Sequence, residues 1–205
     1  MATSVVNVPA QPDQPQHTEP ATVKKPPLWK IFFGMISSPA QTISRHLQGL
    51  HWGIALGVSG LAFGILFLQT GLDLQRAGKI ENIDILYISL KGMAMGTAGV
   101  MVLAALIWVG AKLLGYTNSI TDALRVMGLA FCPTLLYSLF GLLMNLGWQW
   151  NTAVAFGVTG LLWALSPVSA AVKQFTNEKT VPAIVLTTLC GALLLAGWAY
   201  LGGAL

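Results

Sequence analysis

The fold is decided by residues 126–172, VMGLAFCPTLLYSLFGLLMNLGWQWNTAVAFGVTGLLWALSPVSAAV, a stretch without any Asp, Glu, Lys or Arg. Its 47 residues are about twice what one helix needs to cross the roughly 30 Å hydrocarbon core of a bilayer. The stretch must therefore fold back on itself. Residues 145–151, NLGWQWN, are the natural turn, because Gly and Asn permit tight turns and Trp prefers the membrane interface.

The composition of the whole chain supports this reading. Of its 205 residues, 55% are apolar and only 9% are charged, whereas soluble domains carry about 25% charged residues. An ordinary water-soluble domain is therefore excluded. The net charge of +4 is spread along the chain and does not indicate a nucleic-acid-binding protein.

Three further uncharged or nearly uncharged runs, at 51–72, 92–111 and 180–205, are each long enough for one crossing. Together with the folded-back stretch they predict an all-α integral membrane bundle, with residues 51–205 as the transmembrane domain. The expected five transmembrane helices are 52–70, 90–113, 124–146, 152–172 and 181–203.

Lys and Arg are retained on the cytoplasmic side of membranes, so their distribution predicts the orientation. With a cytoplasmic N-terminus, eight of the eleven Lys and Arg residues lie inside, and only Arg76, Lys79 and Lys91 lie outside. We therefore expect the N-terminus in the cytoplasm and the C-terminus outside.

Two segments precede the first span. Residues 1–27 are rich in Pro, Gln and Thr and predict a disordered cytoplasmic tail, because such a segment buries too little apolar surface to offset its ordering entropy. Residues 28–50 place apolar side chains at helical spacing and predict an amphipathic helix in the membrane interface. The helix is expected to break at Ser38, with Ser38 as N-cap, Pro39 in the first turn and Gln41 completing a capping box.

The segment between the second and third spans carries helix-boundary signals. Gly115 can end one helix in the left-handed conformation, and Ser119 with Asp122 resembles a capping box that starts the next. Charged residues on this side of the membrane are the candidate contacts to lipid headgroups or to a protein partner. They are Lys30, Arg45, Lys112, Asp122 and Arg125.

Small residues and prolines predict how the spans pack. Small residues at spacings of three and four let helices approach closely in lipid. Gly57 and Gly60 in the first span, and Gly157 and Gly160 in the fourth, follow this spacing. Such faces could also join two copies of the chain in a homo-oligomer. Pro133 and Pro167 are expected to bend the third and fourth spans.

No pattern in the sequence points to catalysis. The three His residues are scattered, Cys132 and Cys190 fall within predicted spans, and there is no nucleophile or phosphate-binding motif. We expect no catalytic residues, no cofactor and no metal site.

Two stretches resemble the membrane domain of the Yip (Ypt-interacting protein) family. They are residues 112–116, KLLGY, with 119–136, SITDALRVMGLAFCPTLL, and residues 32–43, FFGMISSPAQTI. The resemblance implies five spans with a cytoplasmic N-terminus. Members that act in eukaryotic vesicle traffic carry an Asp-Leu-Tyr-Gly-Pro element before the first span, which this chain lacks. The resemblance therefore implies a prokaryotic-like member, in a bacterial inner membrane.

The resulting functional expectation is a non-enzymatic multi-pass membrane protein. It contacts the lipid bilayer and organises the membrane or recruits a protein partner at its cytoplasmic face. The alternative is a small transporter or channel built around proline-bent spans three and four. No nucleic-acid partner is expected.

Overall fold

A computed structural model describes residues 27–47, 50–177 and 179–203. This part of the chain is helical, without any strand. The helices are α1 Leu28–Ser37, α2 Pro39–His46, α3 Trp52–Arg76, α4 Asn82–Leu113, α5 Ile120–Leu129, α6 Cys132–Trp148, α7 Ala153–Phe175 and α8 Thr180–Gly203. Apart from Pro27, the predicted disordered tail lies outside the described residues.

Within the described ranges, five helical segments are long and apolar enough to cross a membrane, which confirms the predicted all-α bundle of five spans. Helices α3, α4, α7 and α8 each form one span, and α5 and α6 together form the third. The fold-back at residues 145–151 is also confirmed. Helix α6 ends at Trp148, and Gln149 takes the left-handed conformation with φ of 57°, which reverses the chain before α7.

The first connection between spans is shorter than predicted. Helix α3 continues to Arg76, and α4 starts at Asn82 with a capping box between Glu81 and Asp84. Asp73, Arg76 and Asp84 were expected in a loop, but they lie within helices. The loop contains residues 77–81 only. Both helices extend further than predicted because the charged side chains in their terminal turns have hydrogen-bond partners.

The third span is broken rather than bent. Helix α5 ends at Leu129, and α6 starts at Cys132 with Pro133 in its first turn. A proline is tolerated in the first turn, where its missing N–H has no helical partner to lose. Phe131 at the break is fully buried, with its ring centroid 5.2 Å from that of Phe63. Pro167 lies buried inside α7, and the helix continues through it.

Helix α3 is the central element and packs against α4, α5, α6 and α7. Its most extensive contact is with α4, where Gly92 and Gly96 receive the rings of Phe67 and Phe63. A Cβ atom at either glycine would overlap the facing ring. These glycines let the two helix backbones approach, as is typical of packing in lipid.

The four glycines singled out in the sequence differ in their surroundings. A Cβ at Gly60 would lie 2.9 Å from Thr97 Oγ1, one at Gly160 would lie 3.0 Å from Thr134 Cα, and one at Gly157 would overlap Leu66. A Cβ at Gly57 would meet no atom of the described chain within 4 Å. Within one chain, therefore, Gly57 does not mark a close helix crossing.

Helices α1 and α2 pack against each other and are joined at Ser38, and we call this junction the elbow. Ser38 occupies the N-cap position and Pro39 the first turn, but the Ser38 side chain makes no capping bond. The predicted capping box at Ser38 is therefore wrong. Thr42 Oγ1 instead donates to the Ser38 carbonyl at 3.0 Å, and the same side chain fills the space beside Gly34 of α1. Helix α1 packs against α6, and α2 packs against α7.

We expect Gly96→Ala to lower the thermal stability of the detergent-solubilised protein, because the added methyl group overlaps the ring of Phe63. Overpacking of this kind costs about 1–3 kcal/mol. Gly99→Ala is the control, since a Cβ there meets no atom within 4 Å. Equal unfolding temperatures for the two variants would contradict this packing.

Candidate functional site

The cationic side chains gather at one end of the bundle, which we call the basic end. It is formed by α1 and α2, the C-terminal ends of α4 and α7, and the N-terminal ends of α5 and α8. The cations that these elements carry there are Lys30, Arg45, Lys112, Arg125, Lys173 and Lys179. Asp122 is the one carboxylate that the described residues contribute to the same elements.

The start of α5 is fixed by its cap. Gly115 has φ of 86°, as expected for the residue that reverses the chain after α4. The Asp122 N–H donates to Ser119 Oγ at 3.1 Å, and Ser119 Oγ donates to Asp122 Oδ2 at 2.7 Å. Trp108 Nε1 also donates to the Asn118 carbonyl at 3.1 Å, which ties this turn to α4. The predicted helix start at Ser119 is confirmed.

Arg125 lies one turn into α5 and faces a small cavity. Its Nη1 donates to Asp122 Oδ1 at 2.7 Å, and its buried Nε has no partner among the described residues. The cavity has a volume of about 170 Å³, and α2 and α7 contribute Ser44 and Gln174 to its wall. Asp122, which is paired with Arg125, also lines the cavity, so its wall presents both donors and an acceptor to a polar group of a lipid or of a protein partner.

The other candidate cations are more exposed. Lys30, Arg45 and Lys112 are exposed and form no ion pair within the described ranges. Lys30 Nζ lies 5.9 Å from the centroid of the neighbouring Trp29 ring, and Trp29 is itself 61% exposed. An exposed Trp beside a Lys suits the headgroup region of a membrane.

The opposite end of the bundle contains a polar cluster that the sequence did not predict. We call it the polar clamp, and it consists of Gln69, Asp73 and Arg76 on α3, Asn145 on α6, and Thr152 just before α7. Three helices meet there. The clamp side chains of Gln69, Asn145 and Thr152 are fully or almost fully buried.

Asp73 and Arg76 hold the ends of α6 and α7 against α3. Asp73 Oδ1 accepts from Asn145 Nδ2 at 2.6 Å, and Asp73 Oδ2 accepts from the backbone N–H of Ala153 at 2.9 Å. Arg76 Nη2 donates to the carbonyl and side-chain oxygens of Asn145 at 2.7 and 2.6 Å. Its Nη1 donates to the Trp150 carbonyl at 2.9 Å. The Arg76–Asp73 distance is 3.5 Å, so Arg76 is held mainly by these carbonyl oxygens.

Gln69 extends the clamp toward the middle of the bundle. It lies seven residues before Arg76, about 10 Å along the helix axis. Gln69 Nε2 donates to the Ser138 carbonyl at 2.8 Å, and its Oε1 accepts from Thr152 Oγ1 at 3.1 Å. Thr152 Oγ1 in turn accepts from Asn145 Nδ2 at 3.1 Å. Each side chain of the clamp therefore bonds to another element of the bundle or to another clamp residue.

One sequence signal could have revealed the clamp. Gln69, Asp73 and Arg76 are separated by four and three residues, so they share one helix face. The predicted first span ended at residue 70, which left Asp73 and Arg76 outside the helix.

The comparisons with known proteins agree with this architecture. The family model of the Yip1 domain matches residues 33–201, from within α1 almost to the end of α8. The chain belongs to the Yip1 domain family. This match covers the junction between α1 and α2 and all five spans, so the Yip1 domain of this chain includes the polar clamp and the basic end apart from Lys30. No curated protein and no solved structure matches the chain.

We expect Asn145→Ala to destabilise the Yip1 domain by about 1–3 kcal/mol, because it removes a buried side chain that bonds to Asp73, Arg76 and Thr152 and leaves the buried Thr152 hydroxyl without its donor. The measurement is thermal unfolding in detergent. Asn151→Ala is the matched control, since Asn151 is exposed in the same turn. A clamp that stabilises the bundle predicts a lower unfolding temperature for the first variant only, and equal losses would disprove it.

Proposed function

We propose that this Yip1-domain protein is a non-enzymatic membrane protein that organises the membrane or recruits a protein partner at its basic end. The observation that carries the proposal is the gathering of exposed cations on elements that meet at one end of the bundle. Family membership supports the non-enzymatic assignment, since the Yip1 family is a membrane-trafficking family that is generally non-enzymatic.

We further propose that the basic end faces the cytoplasm, in the inner membrane of a bacterium. The opposite end carries Arg76, Lys79 and Lys91 among the described residues. The basic end carries six of the described Lys and Arg residues, against these three at the opposite end. This imbalance supports the positive-inside orientation.

Cysteine labelling tests the orientation. Lys112→Cys and Lys79→Cys introduce one exposed thiol at each end, and the native Cys132 and Cys190 are buried. In spheroplasts, a membrane-impermeant maleimide is expected to label Lys79→Cys at once and Lys112→Cys only after the membrane is permeabilised. The reverse order would overturn the orientation, and the unsubstituted protein measures labelling of the native thiols.

The recruiting role predicts that partner capture depends on cations at the basic end. We expect the double variant Arg45→Gln/Lys112→Gln to lose most of the protein that cross-links to the intact chain in membranes, because charge complementarity steers association. Lys79→Gln/Lys91→Gln removes the same charge from the opposite end and is expected to retain the cross-linked partner. Equal capture by both double variants would contradict recruitment at the basic end.

An association between copies would use small residues left open in one chain. Gly57 lies on an exposed face of α3, between the exposed side chains of Ile54 and Leu61. A glycine on a lipid-facing surface permits close approach of a second helix. We propose this face as the contact if the protein forms a homo-oligomer.

The alternative function, a small transporter or channel around spans three and four, is not favoured by any observation on the described residues. Pro133 starts α6 instead of opening a bend within a helix. Asn145 of α6 is held within the clamp, where it bonds to Asp73, Arg76 and Thr152.

A further inference from the structure

Two cavities lie end to end along one face of α7. The first is an apolar slot of about 280 Å³ between α6 and α7, bordered by Ile36 at the end of α1. The second is a polar pocket of about 560 Å³ between α7 and α2, bordered by Pro39. On α7, the slot reaches Trp163 and the polar pocket begins at Ser166, which is about 4.5 Å further along the helix axis. The elbow between α1 and α2 therefore stands where the two cavities meet.

The slot has the chemistry of a hydrocarbon site. Its walls carry the rings of Tyr137 and Phe140 from α6 and of Phe156 and Trp163 from α7. Phe140 and Trp163 are half exposed at the side of the bundle. Both helices belong to membrane spans, so this opening faces lipid. An extended apolar chain can enter the slot from the side without leaving the bilayer.

The polar pocket has the chemistry of an anion site. Ser44 of α2 and Ser166, Ser169 and Gln174 of α7 present hydroxyl and amide groups to it. Lys173 is exposed, lies in the last turn of α7, and forms no ion pair with any described residue. The described lining contains no carboxylate. One cation among neutral donors favours an anionic group over a zwitterionic one.

We propose that these cavities bind one anionic glycerophospholipid. Its phosphate lies in the polar pocket beside Lys173 and the serine hydroxyls, and one acyl chain lies in the slot. The occupant is a bilayer lipid rather than a protein segment, because an apolar slot open to the membrane continues into a cationic pocket at the end of a span. This site goes beyond the proposed function, and it does not depend on which end of the bundle faces the cytoplasm.

The proposed lipid site also accounts for the position of α1 and α2 against the bundle. Ile36 and Pro39 flank the elbow, so a bound lipid touches α1 through its acyl chain and α2 through its headgroup. The two helices bury Met35 and Ile43 against the bundle. A lipid in both cavities adds contacts that hold them there.

Native mass spectrometry of the full chain tests the proposal. The protein is purified in a detergent that strips lipids, and equal amounts of dioleoyl phosphatidylglycerol and dioleoyl phosphatidylcholine are then added. We expect single-lipid adducts with a preference for phosphatidylglycerol of about fivefold, the factor that one cation near a membrane surface supplies. Equal adducts of the two lipids would overturn the anionic assignment.

Variants locate the two halves of the site. Lys173→Gln is expected to remove the preference, whereas Lys79→Gln, which removes an exposed cation at the opposite end, is expected to keep it. Leu136→Trp fills the slot and is expected to weaken binding of both lipids, and Leu139→Trp is its control, since Leu139 does not line the slot. An equal loss of preference in Lys79→Gln, or full binding by Leu136→Trp, would overturn the proposal.

A second substitution keeps the slot testable if Leu136→Trp does not fold. Phe140→Ala removes an exposed wall of the slot, and Leu143→Ala removes an equally exposed side chain of α6 that lies outside it. Only Phe140→Ala is expected to lose lipid. A co-purified protein or a second copy of the chain that is displaced by Lys173→Gln, in the absence of any lipid adduct, would show a different occupant and overturn the assignment.

Discussion

In a bilayer, burying an apolar side chain between helices gains no hydrophobic free energy, because the lipid tails are equally apolar. The spans associate instead through close van der Waals packing, which here depends on how closely α3 can approach its neighbours. Gly92 and Gly96 of α4 accept the rings of Phe67 and Phe63 where a side chain would exclude them. Gly128 of α5 lies directly against the backbone of α3 at Ala55. Glycines of the neighbouring helices therefore let α3 pack closely against α4 and α5.

The polar clamp supplies a different kind of association. A buried Asp or Arg is costly in lipid unless its charge and its hydrogen-bonding groups are satisfied. Asp73 and Arg76 meet that condition through Asn145, through the N–H of Ala153 and through the carbonyl of Trp150. The same bonds explain why α3 continues beyond its apolar run. Its last turns have partners on α6 and α7 that replace water.

Most of the fold could be predicted from the sequence, because the predictive features are local. The lengths of the uncharged runs predicted the number of spans. Ser119 predicted the start of α5, and Gly115 predicted the turn that follows α4. The spacing of Gln69, Asp73 and Arg76 is a local signal for one side of the polar clamp, but the partners on α6 and α7 lie about 70 to 80 residues away in sequence, so the pairing itself could not be predicted. A bend of the third span was predicted at Pro133, whereas the structure has a break between α5 and α6 just before this residue. The candidate contacts at the basic end could be named from charge alone, whereas the cavity beside Arg125 depends on α2 and α7, which only the folded chain brings together.

The two ends of the bundle differ in how firmly their helices are joined. At one end, short turns and the clamp pin α3, α6 and α7 to each other. At the other, α2 bridges to α7 across cavities, and α5 and α6 are separated by a break. The clamp therefore fixes the spacing of α6 and α7 at the turn that joins them. At the basic end the same two helices are covered by α1 and α2, which pack against α6 and α7 respectively.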